Sequence, residues 1–305
     1  MSISKGAQLK ALIEAPEILV MCAAFDCFSC RLAEAAGFKS TLISGSGTSE
    51  SRLGRPDVGI MGLEDNLAGV RAMTSCVETP LLADADTGYG NAINVYHAVQ
   101  AFERAGVAGV QIEDQVWPKR CGHMSGKELI PADEMVQKVR AAVDARTDPN
   151  LVMLARTDAA GPLGIDEAIR RANLYAGAGA DMLLADALES VADIEKFIKN
   201  VSRPVIINMG FGIRERATTP LLSARQLEEM GAAVMVVPRM LSSAAVRGML
   251  NAVAAFKESL LSGNVVNRPE LLVSFEELND LMGLPQIREL EQRYLTDAQL
   301  AAKYG

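Results

Sequence analysis

The chain has one tryptophan, two histidines and five cysteines in 305 residues, and aromatics make up only 5% of it. Aliphatic side chains must therefore fill its core. Cys22, Cys27, Cys30, Cys76 and Cys121 are odd in number and show no zinc-finger spacing, which argues against a disulfide framework or structural zinc. Reduced thiols in a cytoplasmic compartment are expected, with Cys22, Cys27 and Cys30 as small core fillers. No apolar run reaches the roughly 18 residues needed to span a bilayer. The segment Met1 to Lys10 lacks the apolar core of a signal peptide. Formal net charge is −8 with no Lys/Arg cluster, so neither nucleic acid nor a membrane is an expected partner. No Gly-x-Gly-x-x-Gly follows the first apolar run, which counts against a dinucleotide-binding fold.

What is present is an alternation of short apolar runs and amphipathic stretches. The strand candidates are Ile18–Ala24, Ser40–Ser44, Leu81–Asp84, Gly109–Glu113, Leu151–Arg156, Met182–Ala185, Val205–Asn208 and Val234–Val237. Helical patterns separate them, at Phe28–Ala36, Leu63–Ser75, Ala92–Ala105, Ala132–Ala145, Ile165–Ala178, Val191–Lys199 and Ala224–Met230. Most of these helices stop at a glycine just before the next strand: Gly37, Gly106, Gly179 and Gly231. The strands are unbroken apolar runs, as parallel strands buried on both faces require. Eight such units predict an α/β fold, a (β/α)8 TIM-type barrel in a single domain over 1–305. An eighth helix covers Ser242–Ser262, and residues 263–305 form a C-terminal helical extension. Ser274-Phe-Glu-Glu277 is a capping box opening a helix to about Met282, and a second helix covers Leu284–Tyr294. An apolar extension of this kind packs on the barrel's own helices or on those of a neighbouring subunit, and the neighbour is the preferred expectation.

In a barrel, function collects where the strands end. Strand two ends in Ser44-Gly-Ser-Gly-Thr48, whose backbone N–H groups can cradle a carboxylate or simply form a turn. Strand three ends in Asp84-Ala-Asp86, four in Glu113-Asp114, five in Arg156-Thr-Asp158, six near Asp186 and seven in Asn208. Acids at the ends of successive strands, with nothing to neutralise them, point to a bound cation. Carboxylate oxygens without histidine suit Mg²⁺, with Mn²⁺ as a substitute, and Asp57 is placed to join them through water. Arg156 suits a bidentate carboxylate grip or an ion pair with the acids. Tyr89 and Trp117 are candidates for pocket walls or for a cover over the barrel mouth. The loop Lys119-Arg-Cys-Gly-His123 sets Cys121 among cations, which favour its thiolate, and leaves His123 open as a participant or a packing imidazole.

These residues, with Gly54-Arg-Pro-Asp57, Ala83-Asp-Ala-Asp-Thr-Gly-Tyr-Gly90, Ile112-Glu-Asp-Gln115, Ala155-Arg-Thr-Asp-Ala159 and Thr219-Pro-Leu-Leu222, resemble the isocitrate lyase / phosphoenolpyruvate mutase superfamily. The motifs occur in family order over about residues 8–250, and the cysteine loop looks most like the 2-methylisocitrate lyase / 2,3-dimethylmalate lyase branch. The resemblance implies a Mg²⁺-dependent carbon–carbon lyase. It would split a 2-hydroxy di- or tricarboxylate into pyruvate or another 2-oxo acid plus a carboxylic acid. By the same resemblance Asp84 and Asp86 hold the metal, with Asp57 and Glu113 reaching it through water. Ser44, Gly45, Ser46 and Arg156 grip the 2-oxo-acid half, while Asn208, Asp186 and Gly122 are substrate contacts; Arg214, outside the resemblance, is a further candidate contact. Cys121 is the proton donor, with Lys119, His123 and Glu113 around it. A homotetramer of helix-swapped dimers is implied as well.

Three departures stand out. Leu42 replaces the aromatic usual two residues before Ser44, which leaves the base for the 2-hydroxyl unassigned, and Asp186 replaces a Glu. The stretch Asn208-Met-Gly-Phe-Gly-Ile-Arg-Glu-Arg-Ala-Thr-Thr-Pro220 is longer than its counterpart and brings in Arg214 and Arg216, which bind an extra carboxylate or face solvent. A related hydrolase branch, oxaloacetate acetylhydrolase, shares the cysteine loop but tends to have Ser where this chain has Ala159. A non-catalytic scaffold is the remaining alternative.

Overall fold

The structure is a computed structural model that describes residues 3–304; Met1, Ser2 and Gly305, at the ends of the leader and extension stretches discussed above, lie outside the described residues. Eight strands form one parallel sheet: β1 (Leu19–Ala24), β2 (Thr41–Ile43), β3 (Leu81–Asp84), β4 (Gly109–Glu113), β5 (Val152–Thr157), β6 (Met182–Ala185), β7 (Ile206–Asn208) and β8 (Val234–Val237). Their order is β6-β5-β4-β3-β2-β1-β8-β7, so the sheet curls round until its two edge strands meet. At that seam a single bridge, Leu183 to Val205, stands in place of a ladder. The result is a nearly closed TIM-type barrel, as the alternation of runs predicts.

Local chemistry sets the helix ends. Asp26 caps Cys27–Ala35 through a reciprocal pair with Ser29, and Ser223 caps Ala224–Met230 with Gln226 in the same manner. Gly231 closes the latter helix at φ 97°, a left-handed conformation that a side chain resists. Two short pieces lie outside the periodic pattern. Lys5–Ile13 is a helix that buries Leu9 and Ile13, and Gly45–Thr48 is a helical turn capped by Ser44, where the sequence suggests only a cradle or turn.

Two apolar layers hold the barrel. One lies between sheet and helices, around Ile43, Leu67, Phe102, Met135, Tyr175 and Phe197. The other fills the interior with Met21, Ala23, Leu42, Leu82, Leu154, Met182, Leu184, Ile206 and Val236, joined by Leu9 and Ile13. Each fully buried aliphatic side chain contributes about 1.5–3 kcal/mol. Cys22 and Cys30 are buried fillers as expected; Cys27 is only half-buried at its helix start.

Strand alternation turns the interior layer into a ruler for the site. Side chains two residues apart share a face. Ser44 therefore stands above Leu42, Asp84 above Leu82, Arg156 above Leu154, Asp186 above Leu184 and Asn208 above Ile206, all at the C-terminal mouth. Leu42 belongs to the core layer beneath.

The chain divides into two compact units, residues 1–243 and 244–305, a boundary that falls inside the helix Met240–Ser262. The second unit holds the capped helix Phe275–Leu281, the helix Leu284–Tyr294 and a third, Asp297–Tyr304, that the sequence reading lacks. Lys303 and Tyr304 of that last helix both bind Glu291. Among the described residues, no helix is long and apolar enough to cross a membrane.

Candidate active site

The mouth is built from carboxylates that share a few buried cations. Glu113 and Asp114 end β4 side by side, but alternation sends them opposite ways. Asp114 is structural: it accepts from Tyr175 Oη (2.7 Å), Thr157 Oγ1 (2.8 Å), the Asp158 N–H (2.9 Å) and Arg171 Nη1 (3.1 Å). Glu113 faces the mouth, where burial pushes its carboxyl well above the usual range against the pull of Arg156 and Lys119.

Acids left without a neutralising partner are not what the structure contains. Lys119 is buried with its Nζ 2.5 Å from Asp57 Oδ1 and 2.8 Å from Asp86 Oδ1. Burial works against its charge, but Asp86, Glu113, Asp57 and Asp84 together hold it well above the ordinary lysine range. One cation does not balance them all. Asp86 is pushed up to about 6, chiefly by burial, with Asp84 and Asp57 adding repulsion. Asp57 therefore meets Lys119 directly.

Arg156 is also committed. Its Nε and Nη2 grip Asp158 at 2.9 Å each, Nη2 reaches Asp186 at 2.9 Å, and Nη1 lies 3.3 Å from Glu113. Asp186 is buried, which would raise its pKa, yet Arg156 and its cationic neighbours hold it well below the usual range. Asn208 Nδ2 donates to Asp186 Oδ1 (2.9 Å), and Asn208 Oδ1 accepts from Arg216 Nη2 (3.0 Å). Ser44 Oγ lies 3.0 Å from Ser46 Oγ at the helical turn, and Gly45 leaves just enough room beside Asp84 and Asp86, since a Cβ there would stand 2.9 Å from Asp84 Oδ2.

The cysteine loop is seated on this mouth. The Cys121 N–H donates to the Asp57 carbonyl (3.0 Å). Gly122 is packed so closely that a Cβ would lie 1.9 Å from Asp186 Oδ2 and 2.4 Å from Arg156 Nη2. The cations around the thiol are not those adjacent in sequence. Lys119 turns into the acids and Arg120 is exposed, its backbone clamped by Gln115. The group at the sulfur is Arg239, just past β8, with Nη2 3.9 Å from Sγ. Sequence reasoning missed it, although an arginine at a strand's C-terminal end was the available signal. Arg214 is exposed, its Cζ 5.9 Å from the centre of the Phe211 ring; of the two loop arginines it is Arg216 that reaches the site. Tyr89 is half-buried and its hydroxyl accepts from Asn66 Nδ2 (2.8 Å), and Trp117 lies against it.

His123 pairs with Thr218 Oγ1 through Nδ1 (2.8 Å). Burial lowers its pKa from the ordinary 6.5 to about 4, although Asp186 opposes this. An NMR titration of the imidazole is expected to show His123 neutral until about pH 4, and a midpoint near 6.5 would contradict the burial. The unfolded chain takes this proton near pH 6.5 and the folded one near 4, so this group subtracts stability as pH falls through that window.

A barrel whose strand ends carry acids, buried cations and one thiol defines a class: (β/α)8 enzymes that act on small anions at the C-terminal mouth. Comparison with known proteins narrows the class. The phosphoenolpyruvate phosphomutase family matches residues 9–257, and the chain belongs to the phosphoenolpyruvate mutase / isocitrate lyase superfamily. It is 37% identical over 294 residues to 2,3-dimethylmalate lyase of Eubacterium barkeri, covering 96% of this chain and 99% of that one. Among solved structures it resembles oxaloacetate acetylhydrolase with the inhibitor 3,3-difluorooxalacetate (TM-score 0.83, 32% identity, 95% and 96% of the two chains). It also resembles phosphonopyruvate hydrolase with oxalate and Mg²⁺ (TM-score 0.85, 30% identity, 96% and 100%). Within the superfamily it is a carbon–carbon lyase.

Proposed function

We propose that the protein is a Mg²⁺-dependent lyase that cleaves the C2–C3 bond of a 2-hydroxy acid, giving a 2-oxo acid and a carboxylic acid. The observation that carries this reading is the seating of the Cys121 loop on the acid-lined mouth, with Gly122 against Arg156 and Asp186.

The metal fits the residues present. Among the described residues no three His, Cys, Asp or Glu side chains are arranged to hold an ion by themselves. Mg²⁺ does not need such a cage, because it keeps several waters and uses one or two carboxylates. Asp84 and Asp86 supply that pair, with Asp57 and Glu113 behind them. Glu113 Oε2 and Asp86 Oδ1 are buried and touch only the cations Arg156 (3.3 Å) and Lys119 (2.8 Å), with no hydrogen bond of good geometry, so each keeps capacity to accept from an ion or its waters. When bound, the ion supplies Lewis acidity to the oxygens of the 2-oxo acid.

The chain's own residues account for the rest except the base for the 2-hydroxyl, which Leu42 leaves unassigned. Ser44, Gly45, Ser46 and Arg156 line the end that takes the 2-oxo-acid half. Loss of the 2-hydroxyl proton drives electrons from the C2–C3 bond onto C3. The Cys121 thiol gives its proton to that carbon, and the proton released at the hydroxyl restores the thiol. Apolar residues exposed in the unit 244–305, among them Phe256, Leu261, Leu272 and Phe275, support a helix-swapped homotetramer as the working assembly, and five free thiols suit the cytoplasm.

An assay for 2-oxo acid release with Mg²⁺, over 2,3-dimethylmalate, 2-methylisocitrate and other 3-substituted malates, is expected to find turnover. Acetate and oxalate formed from oxaloacetate would reassign the enzyme as a hydrolase. A lack of turnover with every substrate, together with no metal binding, would leave a scaffold.

A further inference from the structure

We propose that Arg216, set beside Arg239 and the Cys121 thiol, is a second carboxylate subsite, which takes a single carboxylate on the departing fragment and selects a 2-hydroxy dicarboxylate over a tricarboxylate. The assignment to the departing fragment rests on the lyase reading above; the subsite itself rests on which charges in the mouth are already used.

Lys119 is held by Asp57 and Asp86, Lys127 by Asp158 (3.3 Å), and Arg156 by Glu113, Asp158 and Asp186. Arg239 gives Nη1 to both oxygens of Glu50, at 2.6 and 2.8 Å, and turns Nη2 to the Cys121 sulfur. Arg216 differs from all of these. Among the described residues no carboxylate forms an ion pair with its guanidinium. Its Nη2 donates only to the Asn208 carbonyl (3.1 Å) and amide oxygen (3.0 Å), and its Nε is buried without an acceptor. Burial depresses the pKa of Arg216, with Arg239 and Arg156 adding to the effect and Asp186 and Cys121 opposing it.

The pair is held ready rather than loose. Gly210, at φ 60°, lets the Arg216 guanidinium lie against the backbone, since a Cβ there would stand 2.6 Å from Cζ. The Gly210 carbonyl also accepts from the Arg239 N–H (3.0 Å), so one glycine anchors both arginines. Such fixed donors stabilise charge as it develops, without reorganising. The carbon protonated by Cys121 is the one whose carboxylate takes up the enolate charge, so that group lies on the thiol's side of the mouth, where Gly210 sets Arg216 beside Arg239. Only one charge here is unspent. A third carboxylate would meet Asp186 or Glu50 instead of a partner. Arg216 is thus a specificity residue, and Arg239, fixed by Glu50, is a positioning residue for the thiol.

The test uses the full chain with Mg²⁺. Calorimetry measures oxalate as a stand-in for the 2-oxo-acid half, then propionate or succinate added to the oxalate-loaded protein. Arg216→Gln is expected to weaken propionate by roughly tenfold or more while oxalate affinity stays within about twofold, and Arg216→Lys to recover part of the loss. Unchanged oxalate binding also shows that the variant is folded. Succinate is expected to bind no tighter than propionate. Propionate binding unaffected by Arg216→Gln, or succinate binding tenfold tighter than propionate, would overturn the subsite. In turnover, kcat/KM for 2,3-dimethylmalate should exceed that for 2-methylisocitrate by roughly tenfold or more, and the reverse order would overturn it too. Failure to cleave any 2-hydroxy acid would remove the lyase reading while the propionate result stood, so the two failures are distinguishable.

Discussion

Cys121→Ser is expected to lower kcat by about 10²–10⁴-fold, the range that a single general acid contributes. Oxalate and Mg²⁺ binding should be nearly unchanged. An ordinary thiol ionises near pH 8.5 and a serine hydroxyl is a far weaker acid, so the variant keeps the shape of the loop but not its proton donor. The loop does not depend on the sulfur for its position. It is fixed by the Cys121 N–H on Asp57 and by Gly122 against Arg156 and Asp186. Steady-state kinetics on the best substrate, paired with calorimetry of oxalate, separates chemistry from binding. A variant retaining more than about a tenth of parental kcat would remove Cys121 from the proton-donor role.

Lys119→Met should give the largest loss of stability, about 3–5 kcal/mol, because it leaves Asp57 and Asp86 buried without their counter-charge. Methionine keeps much of the volume, so the deficit reads charge rather than packing. Asp86, already raised to about 6, rises further when its cation is gone. Above about pH 6 the folded variant then keeps a proton that the parent has lost, so its deficit relative to the parent narrows as pH falls toward about 6 and stays level below it, where both folded forms carry the proton. Added Mg²⁺ should recover part of the loss, since the freed carboxylates become better ligands. Urea titrations of parent and variant at two pH values, with and without the ion, measure each effect. A deficit under about 1 kcal/mol would show that the acids reorganise without the lysine.

The eight strands were legible because a strand buried on both faces leaves an unbroken apolar run, and the four glycines Gly37, Gly106, Gly179 and Gly231 marked where helices had to stop before the next run. Strand alternation carried the site as well, since Asp84, Arg156, Asp186 and Asn208 each stand two residues above a core side chain. What escaped was whatever depends on folding distant segments together. Lys119 sits two residues from Cys121, and its neighbourhood in sequence assigns its charge to the thiol. The folded loop turns it to Asp57 and Asp86 instead. Arg239 lies 118 residues from Cys121, so no local pattern could join them. Arg214 and Arg216 were indistinguishable as two loop arginines; the room beside Gly210 decides which one enters.

The seam between β6 and β7 carries one backbone bridge, and at its upper end the Asn208–Asp186 hydrogen bond joins the two strands. Two side chains at the barrel mouth, assigned above to the proposed substrate site, are therefore also the clasp of the barrel. A change at Asn208 or Asp186 that retunes substrate choice also alters how the barrel is fastened. Catalytic preference and fold stability are coupled at this one place, and drift toward a new substrate would need compensation elsewhere along the same two strands.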